Sequence, residues 1–273
     1  MRAKVLNPFV FVLGFMAVVS LACLGGGGTP APEPVLVVTE APPQQVEQPA
    51  QPVITEEPVQ TEEPDPTEEP VPTEEPAPAA QDFFTEEFEG DISNWSYFNI
   101  LGSNETNESA LTLETDGGYL VFDIPTKQLY TYVMYDPFDY TNVAIELRAE
   151  NRGTNNNAIS MVCRYSDEGW YEINIQNSGL YNILAATYNP SGEVVYNRIA
   201  DGGSNKIKVG KDINEYKMIC KERTITLYIN GYETRTIDDN KYVLRDGQIG
   251  FSVSSFSDPT VKVEVDWVTI SEP

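Results

Sequence analysis

Beyond position 110 the residue order repeats one device: a short run of alternating or β-branched apolar residues, then a turn. Such runs fall at 110–114, 119–124, 129–135, 143–149, 158–165, 170–176, 180–188 and 194–199. They continue at 206–209, 216–221, 224–229, 232–237, 248–254 and 261–270. Between them stand Asp116-Gly117-Gly118, Asp167-Glu168-Gly169, Asn177-Ser178-Gly179, Asn189-Pro190-Ser191-Gly192 and Asp246-Gly247, residue types that favour turns. Ile229-Asn230-Gly231-Tyr232 is the sharpest signal, because Asn-Gly between two alternating runs specifies a type I′ hairpin. No stretch carries a sustained helical period. Many short strands with no helices imply an all-β antiparallel sandwich over residues 81–273.

The first 80 residues obey other rules. Residues 1–23 read as an export signal: Arg2 and Lys4 precede an apolar stretch that Asn7, Pro8 and Gly14 interrupt, too short and broken for a membrane span. The stretch ends in Ser20-Leu21-Ala22-Cys23, which resembles the lipobox of bacterial lipoproteins, with Ser20 where that family usually has Leu. The resemblance implies cleavage before Cys23 and a lipid on its sulfur; an ordinary cleaved signal with an incidental cysteine is the alternative. Residues 24–80 form a linker in which Thr-Glu-Glu-Pro recurs at Thr55, Thr61, Thr67 and Thr73. A solenoid needs apolar positions to stack, and this repeat has almost none, so disorder is expected. Proline and like charge favour extension, which gives a reach on the order of 160 Å at about 3.1 Å per residue.

Composition narrows the function. The chain has 42 Asp+Glu against 17 Lys+Arg, a formal net charge of −25, and no histidine. No Ser-His-Asp triad, Cys-His dyad or imidazole metal site can be assembled. A nucleic-acid partner is not expected, since a phosphate-backbone binder needs a basic stripe.

Within 82–271, Cys163-Arg164-Tyr165, a turn, Trp170-Tyr171-Glu172-Ile173 and Gly179-Leu180-Tyr181 form one recognisable series. Asn214-Glu215-Tyr216, Thr224 through Gly231, Gly247-Gln248-Ile249-Gly250-Phe251 and Val265-Asp266-Trp267-Val268 complete it. The series resembles concanavalin A-like jelly-roll sandwiches of exported bacterial proteins, and is similar to laminin-G-like and 3-keto-disaccharide hydrolase-like domains. The resemblance implies the fold; it leaves function open, because this scaffold hosts lectins, glycanases and adhesion modules.

Three further readings follow. Alternation puts Ile159, Met161, Cys163 and Tyr165 on one inward side and Tyr216, Met218 and Cys220 on another. With Cys23 lipidated, an even pair remains in an oxidising compartment, and similar sequences carry it in the same two strands, so a Cys163–Cys220 disulfide is expected over two buried thiols. Glu264-Val265-Asp266 resembles the Glu-x-Asp core of laminarinase-type hydrolases, but the second glutamate those enzymes need is absent, with Val268 and Thr269 in its place. No cofactor is expected; resemblance to other jelly rolls leaves a structural calcium among Glu87, Glu89, Asp91 and Asp266 as the alternative.

The candidate ligand surface is the face opposite the core. Alternation turns Trp170, Glu172 and Asn174 away from Tyr171, Ile173 and Ile175. Arg164, Asn182 and Lys217 fall opposite Cys163, Tyr181 and Cys220 by the same rule. A flat ring with amides and charges suits a glycan, the ring on the sugar's apolar face and the polar groups on its hydroxyls. The expected protein is a lipid-anchored, extracytoplasmic module at the cell surface or in the envelope, whose partners are the bilayer through Cys23 and a glycan or other envelope component. A surface glycan-processing enzyme and a structural adhesion domain without a small ligand remain the alternatives.

Overall fold

The computed structural model describes residues 80–273; the signal-like segment with Cys23 and the linker up to residue 79 lie outside them. Fifteen strands follow in order: β1 (Phe84–Glu86), β2 (Trp95–Leu101), β3 (Thr112–Asp116), β4 (Tyr119–Ile124), β5 (Leu129–Tyr135), β6 (Val143–Asn151), β7 (Asn157–Ser166) and β8 (Gly169–Gln176), then β9 (Leu180–Tyr188), β10 (Val194–Gly203), β11 (Ile213–Lys221), β12 (Thr224–Ile229), β13 (Tyr232–Asp238), β14 (Gln248–Ser255) and β15 (Val261–Ser271). They form two antiparallel sheets. One runs β13-β12-β11-β6-β15-β4-β3, with β1 also on β15; the other runs β10-β9-β8-β7-β14-β5-β2.

Alternation builds the core between them. Leu120 and Phe122 on β4, Ile145 and Leu147 on β6, Met218 on β11 and Val263 and Val265 on β15 meet Met161 on β7, Ile173 on β8 and Phe251 on β14, all fully buried. The disulfide Cys163–Cys220 joins β7 to β11 across this core. Closing a loop of 57 residues, it contributes about 4 kcal/mol on a chain-entropy account. At the β12–β13 hairpin Asn230 and Gly231 both have positive φ, 50° and 79°, as a type I′ turn requires.

Two expectations needed correction. Residues 206–209 form a loop, anchored by buried Ile207 and ending at Gly210 with φ of 91°. Tyr165 does not face the core with Cys163. The β7–β8 register slips between Cys163 and Ser166, with Arg164 at φ 58°, and this bulge turns Tyr165 to the outer face.

Candidate functional site

Outward-facing residues of the second sheet align in rows. One row runs Phe98, Tyr132, Ser252, Ser160, Asn174 and Asn182 across β2, β5, β14, β7, β8 and β9. The next includes Met134, Gly250, Val162, Glu172 and Leu184. Small side chains on β14 and β7 occupy the middle, and tyrosines stand on either side. The result is a trough: the hydroxyls of Tyr132 on β5 and Tyr196 on β10 lie 2.8 Å apart although four strands separate them. In a flat sheet those strands would be about 24 Å apart, so the sheet curls hard around its outer face.

The trough is filled at one end. Trp170 is fully buried, with ring centroids 5.7 Å from Tyr132, 5.5 Å from Tyr165, 6.0 Å from Tyr188 and 6.3 Å from Tyr196. Phe98 stacks on Tyr132 at 5.0 Å. Trp170 does face outward, as alternation requires, but neighbouring rings cover it.

Glu172 marks the boundary of this plug. It is 2% exposed; its Oε2 accepts from the Tyr132 hydroxyl at 2.8 Å and from Trp170 Nε1 at 3.3 Å. Burial raises its pKa above the ordinary carboxylate value, although hydrogen bonds from Ser160, Tyr132, Trp170 and Asn174 oppose the shift. Burial likewise raises Tyr132 and Tyr196, with the Glu172 charge adding to both. The Oγ atoms of Ser252 and Ser254, buried on β14, have no hydrogen-bond partner among the described residues.

Past Glu172 the trough opens into a cleft of about 270 Å³. Tyr130, Tyr196, Leu184 and Phe256 supply its apolar walls; Glu172, Asn174, Gln176, Asn182 and Arg198 supply polar groups. A second hollow of about 320 Å³ shares Gln176 and Phe256 with it and adds Asn155, Asn156, Asn157, Ser178 and Asp258.

The structure therefore brings Glu172, Asn174 and Asn182 together and separates the other expected site residues. Arg164 leaves the face at the bulge, donates to the Thr141 and Leu244 carbonyls, and sits 5.9 Å from the Tyr171 ring centroid. Lys217 belongs to β11 of the opposite sheet and pairs with Glu146 at 3.4 Å. Sequence reasoning passed over Tyr130, Tyr196 and Arg198; the first two sit in alternating strands, but nothing local shows that those strands approach. On the other sheet Glu264 pairs with Arg152 at 2.8 Å and Asp266 with Arg148 at 3.4 Å, far from a shared site with Glu172. Among the described residues no group of three or more carboxylates or cysteines is placed to hold a metal.

Two curled antiparallel sheets of this order define the architecture. It is a concanavalin A-like jelly roll. Solved structures bear this out: the domain superimposes on a Bacteroides ovatus glycoside hydrolase family 16 protein in complex with a G4G4G3G product (TM-score 0.50, 17% identity, 69% of this chain and 99% of that one). It also matches Bacillus licheniformis β-glucanase (TM-score 0.51, 13% identity, 71% and 100%). A Bacillus subtilis protein of unknown function with a galectin-like fold matches equally (TM-score 0.52, 9% identity, 69% and 94%). At such identities the likeness is one of fold. No protein-family model and no curated protein matches the chain by sequence.

Proposed function

We propose that the chain is a lipid-anchored extracytoplasmic module whose jelly roll binds a glycan in the cleft beside Glu172. One observation carries the reading: side-chain amides of Asn174, Asn182 and Gln176 converge with the rings of Tyr130 and Tyr196 around a buried carboxyl. Sugars present hydroxyls that donate and accept, beside apolar C–H faces. Amides and a carboxyl answer the hydroxyls, and tyrosine rings answer the faces. In this reading Cys23 holds the protein to the bilayer and residues 24–80 carry the domain away from it.

Hydrolysis is the second reading, since glycosidases share the scaffold. They use two carboxyl groups about 5 to 9 Å apart, across the scissile bond. Among the described residues lining the cleft, Glu172 is the single carboxyl, and it is engaged by Tyr132 and Trp170. Binding without turnover is therefore favoured. A glycan array probed with the detergent-solubilised full chain tests this: selective retention without product release supports it, and no retention on any glycan overturns it. Membrane fractionation of Cys23→Ala tests the anchor, which is refuted if a normally processed variant stays with the membrane.

A further inference from the structure

The trough has one closed and one open end, and this bears on which part of a glycan it takes. Because the sheet curls so that β5 approaches β10, the trough runs along the strands. On β8 the order from closed to open is Trp170, Glu172, Asn174, Gln176. At the Trp170 level, rings from β5, β7, β9 and β10 pack around the indole and leave it no exposed surface. At the Glu172 level, the Tyr132 and Tyr196 hydroxyls meet at 2.8 Å, and Tyr132 is anchored below by Glu172. Tyr130 and Tyr196, with centroids 6.3 Å apart, close the same wall. Beyond it the floor stays polar: Asn174 is nearly buried, and Gln176, about 7 Å further along β8 at about 3.3 Å per residue, is partly exposed where the cleft opens. It then continues through Gln176 into the hollow at Asn156 and Ser178.

We infer that the domain recognises the terminus of a glycan chain rather than its interior. A polysaccharide threading the trough would have to pass through the tyrosine bridge and the packed indole. A chain end enters from the Asn156–Ser178 side, places its last ring against Tyr196, Tyr130 and Asn182, and runs outward over Gln176. This inference rests on the glycan reading and adds to it the requirement for a free end.

Matched linear and endless sugars separate the two. The probes are maltohexaose with α-cyclodextrin, and a linear β-glucan hexasaccharide with a cyclic β-glucan, titrated into the full chain by calorimetry. The expected result is that at least one linear sugar binds and its ring binds about tenfold more weakly or less, about 1.4 kcal/mol. Equal affinity for a linear sugar and its ring overturns end recognition while leaving glycan binding intact. Failure of all four probes overturns recognition of a glucan end, while the glycan reading itself falls only if the array also retains nothing. Tyr196→Ala, checked for folding by its melting transition, should narrow the gap by admitting the ring; if it is misfolded, the wild-type comparison still decides.

Discussion

The Tyr132 hydroxyl lies 2.8 Å from both the Tyr196 hydroxyl and Glu172 Oε2, joining β10, β5 and β8 through three side chains. With Glu172 ionised, the order of donation is fixed. The single Tyr132 proton goes to the carboxylate, so Tyr196 donates to Tyr132. This chain of three side chains spans the curled sheet and forms the closed end of the cleft.

That order ranks two conservative substitutions. At a pH where Glu172 is ionised, Tyr132→Phe removes a charge-assisted bond and leaves Glu172 with one donor fewer, at a cost of about 1.5–3 kcal/mol. Tyr196→Phe removes a neutral bond and should cost about 0.5–1.5 kcal/mol. Urea midpoints of the two variants and their double mutant test the ranking. The double should cost less than the sum, because both singles break the same link.

Glu172 should leave a signature in the pH dependence of stability. Burial raises its folded pKa above 4.5, so the folded state holds this proton more tightly than the unfolded chain does. The favourable contribution is complete below about pH 4.5 and is lost as the pH rises through the folded value. Glu172→Gln should remove that downward component while keeping an acceptor for Tyr132. Melting temperatures from pH 4 to 8 check it: parallel profiles for the two proteins would contradict the assignment.

Trp170→Ala should act on stability. The ring is fully buried among four tyrosines, so truncation leaves a cavity and costs about 3–5 kcal/mol. Chemical denaturation of the variant measures this. A change under about 1 kcal/mol would mean that the ring is not packed as described.

The sequence made the middle of the sandwich legible because β-branched and aromatic runs alternate there with turn residues. The 119–124, 129–135, 180–188 and 224–229 runs coincide with β4, β5, β9 and β12. It concealed β2, whose Trp95 packs in the core while Phe98 and Ile100 pack against the outer aromatic cluster, so neither face reads as polar. It misplaced Arg164 and Tyr165, because a bulge resets the parity on which face assignment rests. Glu172, Asn174 and Asn182 lie on adjacent strands in register, where local alternation suffices. Tyr196 is 64 residues from Tyr132, and only the curl of the sheet brings the two together.

Asn182 and Lys217 provide the sharpest functional contrast, since alternation alone would put them on one surface. Asn182 lines the cleft on β9 and is only half-buried, so its amide can reach a ligand without holding the fold. Asn182→Ala should lower affinity for any retained glycan about tenfold, the loss of roughly one hydrogen bond to a sugar hydroxyl, with little change in melting temperature. Lys217 lies on the other sheet and pairs with Glu146, both side chains about a third exposed. Exposed pairs of this kind contribute about 0–1 kcal/mol. Lys217→Ala should therefore alter stability by no more than that and leave glycan affinity unchanged. Calorimetric titration of both variants beside the wild type decides the matter. A loss of affinity in Lys217→Ala with none in Asn182→Ala would move the binding surface to the opposite sheet.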